Sequence, residues 1–284
     1  MSATKPRECT PPAGAAAATT SDASAPELPR EFAPNVYLLS AGAGPLRANV
    51  YFVRSGASWV LVDTGVKGCA PQIGAAAETL FGAGSRPAAI LITHSHPDHV
   101  GSAAQLARTW GCPVYLHPDE LPMVSGDVAT FRANTFPLDR RLILPLLRLG
   151  GKRCIEAIAS RDGLRESARA LDVGARGSVP GLPGWEVVPT PGHTVGHVAF
   201  FRPEDRVLLS GDAVVTKPGP FASLMGRKAA LTLSPWYFTW NRAAAQHAAS
   251  KLAELKPLVV AGGHGQPFSG ADLSGQLRKL AGGS

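Results

Sequence analysis

The sequence predicts an α+β fold, and three observations carry that prediction. Short apolar runs rich in β-branched and aromatic residues are punctuated by Gly and Ser, as hairpin strands are. Stretches of helical pattern interrupt them, and the order of strands then helix occurs twice along the chain. Segments carrying His and Asp follow directly after several of the apolar runs, which places them at strand ends along one edge of a sheet.

From Asn35 the runs Val36-Tyr37-Leu38-Leu39, Asn49-Val50-Tyr51-Phe52-Val53 and Trp59-Val60-Leu61-Val62 read as strands. A helix over Pro71 to Phe81 follows, then the strand Ala89-Ile90-Leu91-Ile92-Thr93, a helix over Ser102 to Trp110 and a short strand Val114-Tyr115-Leu116. In the second half, strands at Trp185 to Pro189, His197 to Phe201 and Arg206 to Leu209 precede a helix from Arg242 to Leu255 and a strand at Leu258 to Val260. Between His117 and Pro180 the strand pattern disappears. Arg140 to Arg148 is Leu-rich and interrupted by Pro145, and Arg153 to Leu171 reads as helices broken near Asp162-Gly163. Residues 118–180 are therefore read as a helical insertion, which either borders a substrate entrance or serves packing alone.

The 284 residues are 45% apolar and 17% charged, enough to bury a full core. Met1 to Arg30 is rich in Ala, Thr, Ser and Pro with no amphipathic period, so 1–30 reads as a disordered tail and 31–284 as the folded domain. No apolar stretch of signal-peptide kind follows Lys5 and Arg7, and no run approaches the ~20 apolar residues of a membrane span. A cytoplasmic protein with no membrane association is expected. Cys9, Cys69, Cys112 and Cys154 stand far apart, which argues against a disulfide scaffold or a Cys-rich zinc site and for reduced, mostly buried thiols. The net charge of +7 raises nucleic acid as a partner. However, Arg161, Arg165, Arg169 and Arg176 are interspersed with Asp162, Glu166 and Asp172, as on a solvated helix face, and no interleaved basic and aromatic platform is present. No nucleic acid is expected; attraction of an anionic substrate is the alternative use of that charge.

The strand at Ala89 to Thr93 runs into His94-x-His96-x-Asp98-His99. The run Val187 to Thr190 leads into Pro191-Gly192-His193-Thr194, Val207 to Leu209 into Ser210-Gly211-Asp212, and Leu258 to Val260 into Gly262-Gly263-His264-Gly265. Imidazole and carboxylate together suit borderline divalent metals, zinc above all. Seven potential ligands exceed what one tetrahedral ion can use, so two ions sharing a carboxylate is the economical reading.

The motifs resemble, in order, those of the metallo-β-lactamase-fold superfamily over about residues 31–284. They include the Thr-His-x-His-x-Asp-His-x-Gly signature at Thr93 to Gly101 and an earlier Leu61-Val62-Asp63-Thr64-Gly65 turn. The resemblance implies a four-layer αββα sandwich. It also implies that His94, His96 and His193 hold one metal, that Asp98, His99 and His264 hold a second, and that Asp212 bridges them. Two divalent ions are expected, zinc foremost, with iron and manganese as alternatives. Asp98 is assigned a catalytic part as well, orienting the nucleophile, and no Ser or Cys nucleophile is required.

Within the superfamily, Pro191 to His197 is similar to glyoxalase II-like and lactonase-like hydrolases. His96 stands where flavo-diiron oxygen reductases carry Glu, and His99 together with Asp212 departs from class B β-lactamases. After His264 only Arg278 and Lys279 are basic, which speaks against the glutathione arm of glyoxalase II itself. Ala213-Val214-Val215 follows Asp212, where acyl-homoserine lactonases often place a Tyr. What remains is a hydrolase acting on an ester, thioester or lactone carbonyl of a small molecule, with no oligomeric state implied. The alternatives are a single-iron, persulfide dioxygenase-like oxidoreductase, a phosphodiesterase or nuclease, and a non-catalytic binding module.

Other candidates carry blander readings. Asp63 is expected to orient a ligand by hydrogen bonding, with turn capping as the alternative. His197 is expected to make a structural hydrogen bond, His117 to serve its loop, and His247 to be an ordinary helix residue. Pro235-Trp236-Tyr237-Phe238-Thr239-Trp240 either walls an apolar pocket or fills core.

Overall fold

The computed structural model describes residues 28–44, 47–125, 164–174, 177–216, 230–270 and 272–282. Residues 1–27 of the expected tail, residues 126–163 of the expected insertion, and Cys9 and Cys154 lie outside the described residues.

Strands β1 (Arg30–Ala33), β2 (Val36–Ala41), β3 (Ala48–Ser55), β4 (Ser58–Val62), β5 (Ala89–Leu91), β6 (Val114–Leu116) and β7 (Ala168–Ala170) form a seven-stranded sheet in that order. Pairing is antiparallel from β1 to β4 and parallel from β4 to β7. Parallel neighbours need long crossovers. Helix α1 (Ala70–Phe81) supplies one between β4 and β5, while α2 (Pro97–Val100) and α3 (Ala103–Trp110) supply the next. Pro71 in the first turn of α1 loses no hydrogen bond there, because first-turn N–H groups are unpaired anyway. Two short helices follow, α4 (Leu121–Val124) and α5 (Leu164–Ser167).

The second sheet holds β8 (Glu186–Pro189), β9 (Val198–Arg202), β10 (Val207–Gly211), β11 (Val259–Gly262) and β12 (Phe268–Ser269), in the order β12-β11-β10-β9-β8. Strands β10 and β11 run parallel, joined through helix α6 (Arg242–Glu254), whose N-terminus is capped by the Asn241 side chain accepting from Ala244 N. Helix α7 (Leu273–Leu280) closes the described chain and is capped in the same way by Asp272.

Alternation along the strands builds the layers, because successive side chains leave on opposite faces. Leu38, Tyr51, Val62 and Leu91 of the first sheet meet Val198, Phe200, Val207 and Leu209 of the second in a buried layer between the sheets. Their neighbours Leu39, Phe52, Leu61 and Ile90 point the other way, onto Ile73, Ala77, Leu106 and Trp110 of α1 and α3. On the far side, Val188, Phe201, Leu208 and Val260 pack against Leu252, Leu273 and Leu277 of α6 and α7. Helix, sheet, sheet and helix are thus four layers around buried apolar seams: an αββα sandwich.

One stretch differs from the sequence reading. Helical pattern was expected to Leu171, yet α5 ends at Ser167 and Ala168–Ala170 pair parallel with β6, Val114 lying opposite Ala168. A sheet edge leaves one strand face wet, so exposed Arg169 is tolerated there, and backbone pairing outweighs the helix-like pattern. Among the described residues no helix is long and apolar enough to cross a membrane. Cys69 and Cys112 are free and buried.

Candidate metal centre

Five loops, each leaving the C-terminal end of a strand, deliver the chemistry. The loop after β4 carries Asp63, that after β5 carries His94 to His99, and those after β8, β10 and β11 carry His193, Asp212 and His264. The chain is extended at His96 and enters α2 at Pro97. Asp98 and His99 therefore leave from a helical turn while His94 and His96 leave from extended backbone.

The side chains sort into sets whose ligating atoms all lie within 4.8 Å of one another: His94, His96 and His193; Asp98, His99 and His264; and His94, His99 and Asp212. His96 Nδ1 sits 2.8 Å from His94 Nε2 and 2.9 Å from His193 Nε2. His264 Nε2 lies 3.3 Å and His99 Nε2 3.8 Å from Asp98 Oδ2. Asp212 stands between the sets: its Oδ2 is 3.5 Å from both His193 Nε2 and His264 Nε2, and its Oδ1 is 3.5 Å from His99 Nε2.

The donor atoms fit divalent cations. His99 Nε2 and Asp212 Oδ1 are buried and have no hydrogen-bond partner among the described residues, a condition native structures seldom leave without an ion or water. Burial, reinforced by the neighbouring imidazoles, pushes His94 and His96 well below the usual histidine range, and burial lowers His193 to about 4. These three rings are neutral at pH 7, with lone pairs available. At the other set burial acts in the same direction but is outweighed. The carboxylates of Asp63, Asp98 and Asp212 raise His99 to about 9, and Asp212 and Asp98 raise His264 to about 11. Burial would push the Asp98 carboxyl up, but His99 and the hydrogen bond to His264 prevail and hold it below the usual carboxylate range. Protons thus gather on the second set, where a cation would displace them.

A surrounding layer fixes the rings. His99 Nδ1 donates to Asp63 Oδ2 at 2.8 Å, and Thr93 N donates to Asp63 Oδ1 at 2.8 Å, so Asp63 orients His99 as the sequence led one to expect. His264 Nδ1 donates to Arg47 O at 3.0 Å. His197 spends both nitrogens on structure: its Nε2 accepts from Asp212 N at 2.9 Å and its Nδ1 faces Thr190 Oγ1 at 2.8 Å. Across the sheets, Asn49 Nδ2 donates to Gly262 O and Gly265 O at 2.9 and 2.6 Å, and Tyr51 Oη to Gly262 O at 2.5 Å, which moors the His264 loop.

A sequence model of the metallo-beta-lactamase superfamily matches residues 43–264. The chain belongs to that superfamily. This superfamily member is 35% identical over 238 residues to the probable metallo-hydrolase YflN of Bacillus subtilis strain 168, a match covering 82% of this chain and 86% of that protein. Among solved structures it is similar to the metallo-beta-lactamase family protein TTHA1429 from Thermus thermophilus, at 25% identity and a TM-score of 0.60, covering 88% of this chain and 78% of that one. It is also similar to TTHA1623, solved in a di-iron-bound form, at 29% identity and a TM-score of 0.52, covering 81% and 94%. The mixed α/β sandwich is thus the metallo-beta-lactamase fold, and the His/Asp cluster lies where its strand ends converge.

The remaining candidates fall into place around this superfamily member's centre. His117 Nδ1 accepts from Asp119 N at 3.1 Å and caps its own loop. His247 is exposed on α6. The aromatic turn does not fill core, since Trp236 and Phe238 are 58% and 43% exposed. It is tied to the centre at both ends, through Ser234 Oγ to Asp212 O at 2.7 Å, Trp240 N to His193 O at 3.0 Å and Asn241 N to Gly192 O at 2.9 Å. Sequence reasoning assigned no supporting role to Asn49, Tyr51, Thr93, Thr190 or Glu120. For Glu120 one signal was available: it comes four residues beyond the end of β6, at the same sheet edge as the His-rich loop.

Proposed function

We propose that the protein is a binuclear metal-dependent hydrolase acting on the ester, thioester or lactone carbonyl of a small molecule. The observation that carries this reading is the placement of Asp212 Oδ2, 3.5 Å from a ring nitrogen of each histidine set. In this reading His94, His96 and His193 would hold one ion and Asp98, His99 and His264 the other, with Asp212 within reach of both sets, and zinc would be the ion at each. When bound there, such ions would supply a water of lowered pKa and positive charge for a developing oxyanion. Asp98, whose side chain is 25% exposed, would orient that water. The half-exposed Trp236 and Phe238, wired to the His193 and Asp212 loops, supply an apolar wall for the acyl part. Residues 31–284 form one catalytic domain, the insertion expected at 118–180 being narrowed by β7, whose Ala168–Ala170 belong to the first sheet, and the free buried thiols of Cys69 and Cys112 support a cytoplasmic location.

Iron in place of zinc is the second reading, favoured by the similarity to TTHA1623 in its di-iron-bound form. Elemental mass spectrometry on tag-free protein purified without chelators separates the two. About two equivalents of zinc, followed by turnover on a lactone, thioester and ester panel that chelation abolishes, is the expected result. About two equivalents of iron with the same turnover would put iron in place of zinc, and one equivalent of iron with sulfur oxidation and oxygen uptake would replace the hydrolase with an oxidoreductase.

Asp63→Asn tests the orientation of His99. The amide cannot accept as a carboxylate does, and metal affinity is expected to fall roughly tenfold in a chelator competition. An unchanged affinity would leave Asp63 with the turn alone.

A further inference from the structure

Glu120 is a buried carboxylate that the hydrolase reading leaves unused. It closes a single 3-10 turn, Pro118–Glu120, beyond β6, and is 1% exposed. Burying an anion is costly unless donors surround it. Its Oε2 accepts from Ser95 N at 3.0 Å and from Ser95 Oγ, and its Oε1 accepts from Gly196 N at 2.9 Å. Among the described residues these are the hydrogen bonds it accepts, and every one comes from the candidate centre. Ser95 lies between His94 and His96, while Gly196 belongs to the loop that carries His193.

The two loops are 76 and 25 residues from Glu120 in sequence and belong to different sheets, so one carboxylate joins what the fold only brings near. The fit is close: a Cβ at Gly196 would stand 2.8 Å from Glu120 Cγ and 2.8 Å from His117 Nδ1. His117 in turn caps the turn that presents Glu120.

We propose that Glu120 is a positioning residue for the first metal position, clamping the His94–His96 loop to the His193 loop so that the three ring nitrogens are set before an ion arrives. The clamp rests on the metal reading above. Preset donors bind more tightly because the loops need no ordering on binding, and charge-assisted hydrogen bonds to backbone N–H groups are strong enough to hold them. Glu120→Gln keeps the shape but turns an NH2 group toward one of three donors, so one loop loses its tether.

The test is a titration of metal-free wild-type and Glu120→Gln protein with Co2+ and with Zn2+ against a chromophoric chelator, alongside thermal unfolding of both metal-free proteins. The variant is expected to bind the first ion about 10- to 100-fold more weakly. Its cobalt absorption band is expected to be altered, while the metal-free variant keeps a single cooperative unfolding transition whose midpoint falls by no more than about 10 °C. Wild-type affinity and an unaltered band in the variant would overturn the clamp, as would a loss of affinity matched by a general loss of fold. Should Glu120→Gln fail to fold, Ser95→Ala removes one of the three donors and is expected to weaken the first ion several-fold, with wild-type affinity again overturning the proposal. Wild-type protein that takes up neither ion would sink the metal reading itself, a result distinct from an indifferent variant, and the clamp would fall with it.

Discussion

Asp212→Ala protein is expected to leave purification stripped of metal, with carbonyl hydrolysis lowered about a thousandfold, a loss of about 4 kcal/mol of transition-state stabilisation. The size follows from position. Asp212 is 6% exposed, and its two oxygens face ring nitrogens of His193, His264 and His99, so both sets lose an anion at once. Its backbone N–H still reaches His197 Nε2 and its carbonyl still accepts from Ser234, so the loop keeps its moorings and the loss falls on the centre. His96→Ala is a narrower lesion. It removes the nitrogen that His94 and His193 both approach and leaves Asp98, His99 and His264 intact. That variant is expected to lose the first ion and most of the activity. Metal content and rate measured side by side decide the matter, and wild-type values for either variant would mean that these side chains do not hold metal.

How much of this was legible in the chain depends on how far apart the cooperating residues lie. The His94 to His99 motif is local: one strand and one turn place four donors, and their spacing alone discloses a metal chemistry. His193, Asp212 and His264 were legible because each also follows a strand, so that one rule, donors at strand ends, finds them all. The strands of the core announced themselves by apolar runs that are buried on both faces, as Val60, Leu61 and Val62 are. The supporting layer has no such mark. Asn49 and Tyr51 read as ordinary members of a strand, and only the approach of the second sheet gives them Gly262, more than 200 residues on, as a partner. Strands β7 and β12 are three and two residues long and exist because an edge accepted them, which pattern alone does not encode. Helix α7 did carry a local signal, the Asp272 cap ahead of Leu273 and Leu277, and was there to be read.

Gly263→Ala is expected to lower activity by a hundredfold or more and to empty the second metal position while the fold survives. A Cβ on Gly263 would lie 2.5 Å from His99 Cε1 and closer still to Asp212 Oδ1, under the 3.0 Å that real Cβ atoms respect. The backbone cannot retreat, because Gly263 N donates to Gly211 O at 2.8 Å and Gly263 O accepts from Asn49 N at 2.7 Å. Asp212 and His99 must therefore yield, and displacements of about 1 Å at a catalytic centre are worth about a hundredfold in rate. The backbone at Gly263 is not in the left-handed region, so the methyl group brings no torsional strain of its own. Gly192 offers the contrast. There φ is +140° and a Cβ would press on the Ala245 backbone of α6, so substitution would damage folding rather than the centre alone. Metal stoichiometry, rate and circular dichroism on Gly263→Ala separate the two kinds of harm. A native spectrum with one ion lost assigns the close approach at Gly263 to the second metal position. Wild-type stoichiometry and rate would show that the Asp212 and His99 side chains can give way without harm, and would remove the claim that their present separation matters.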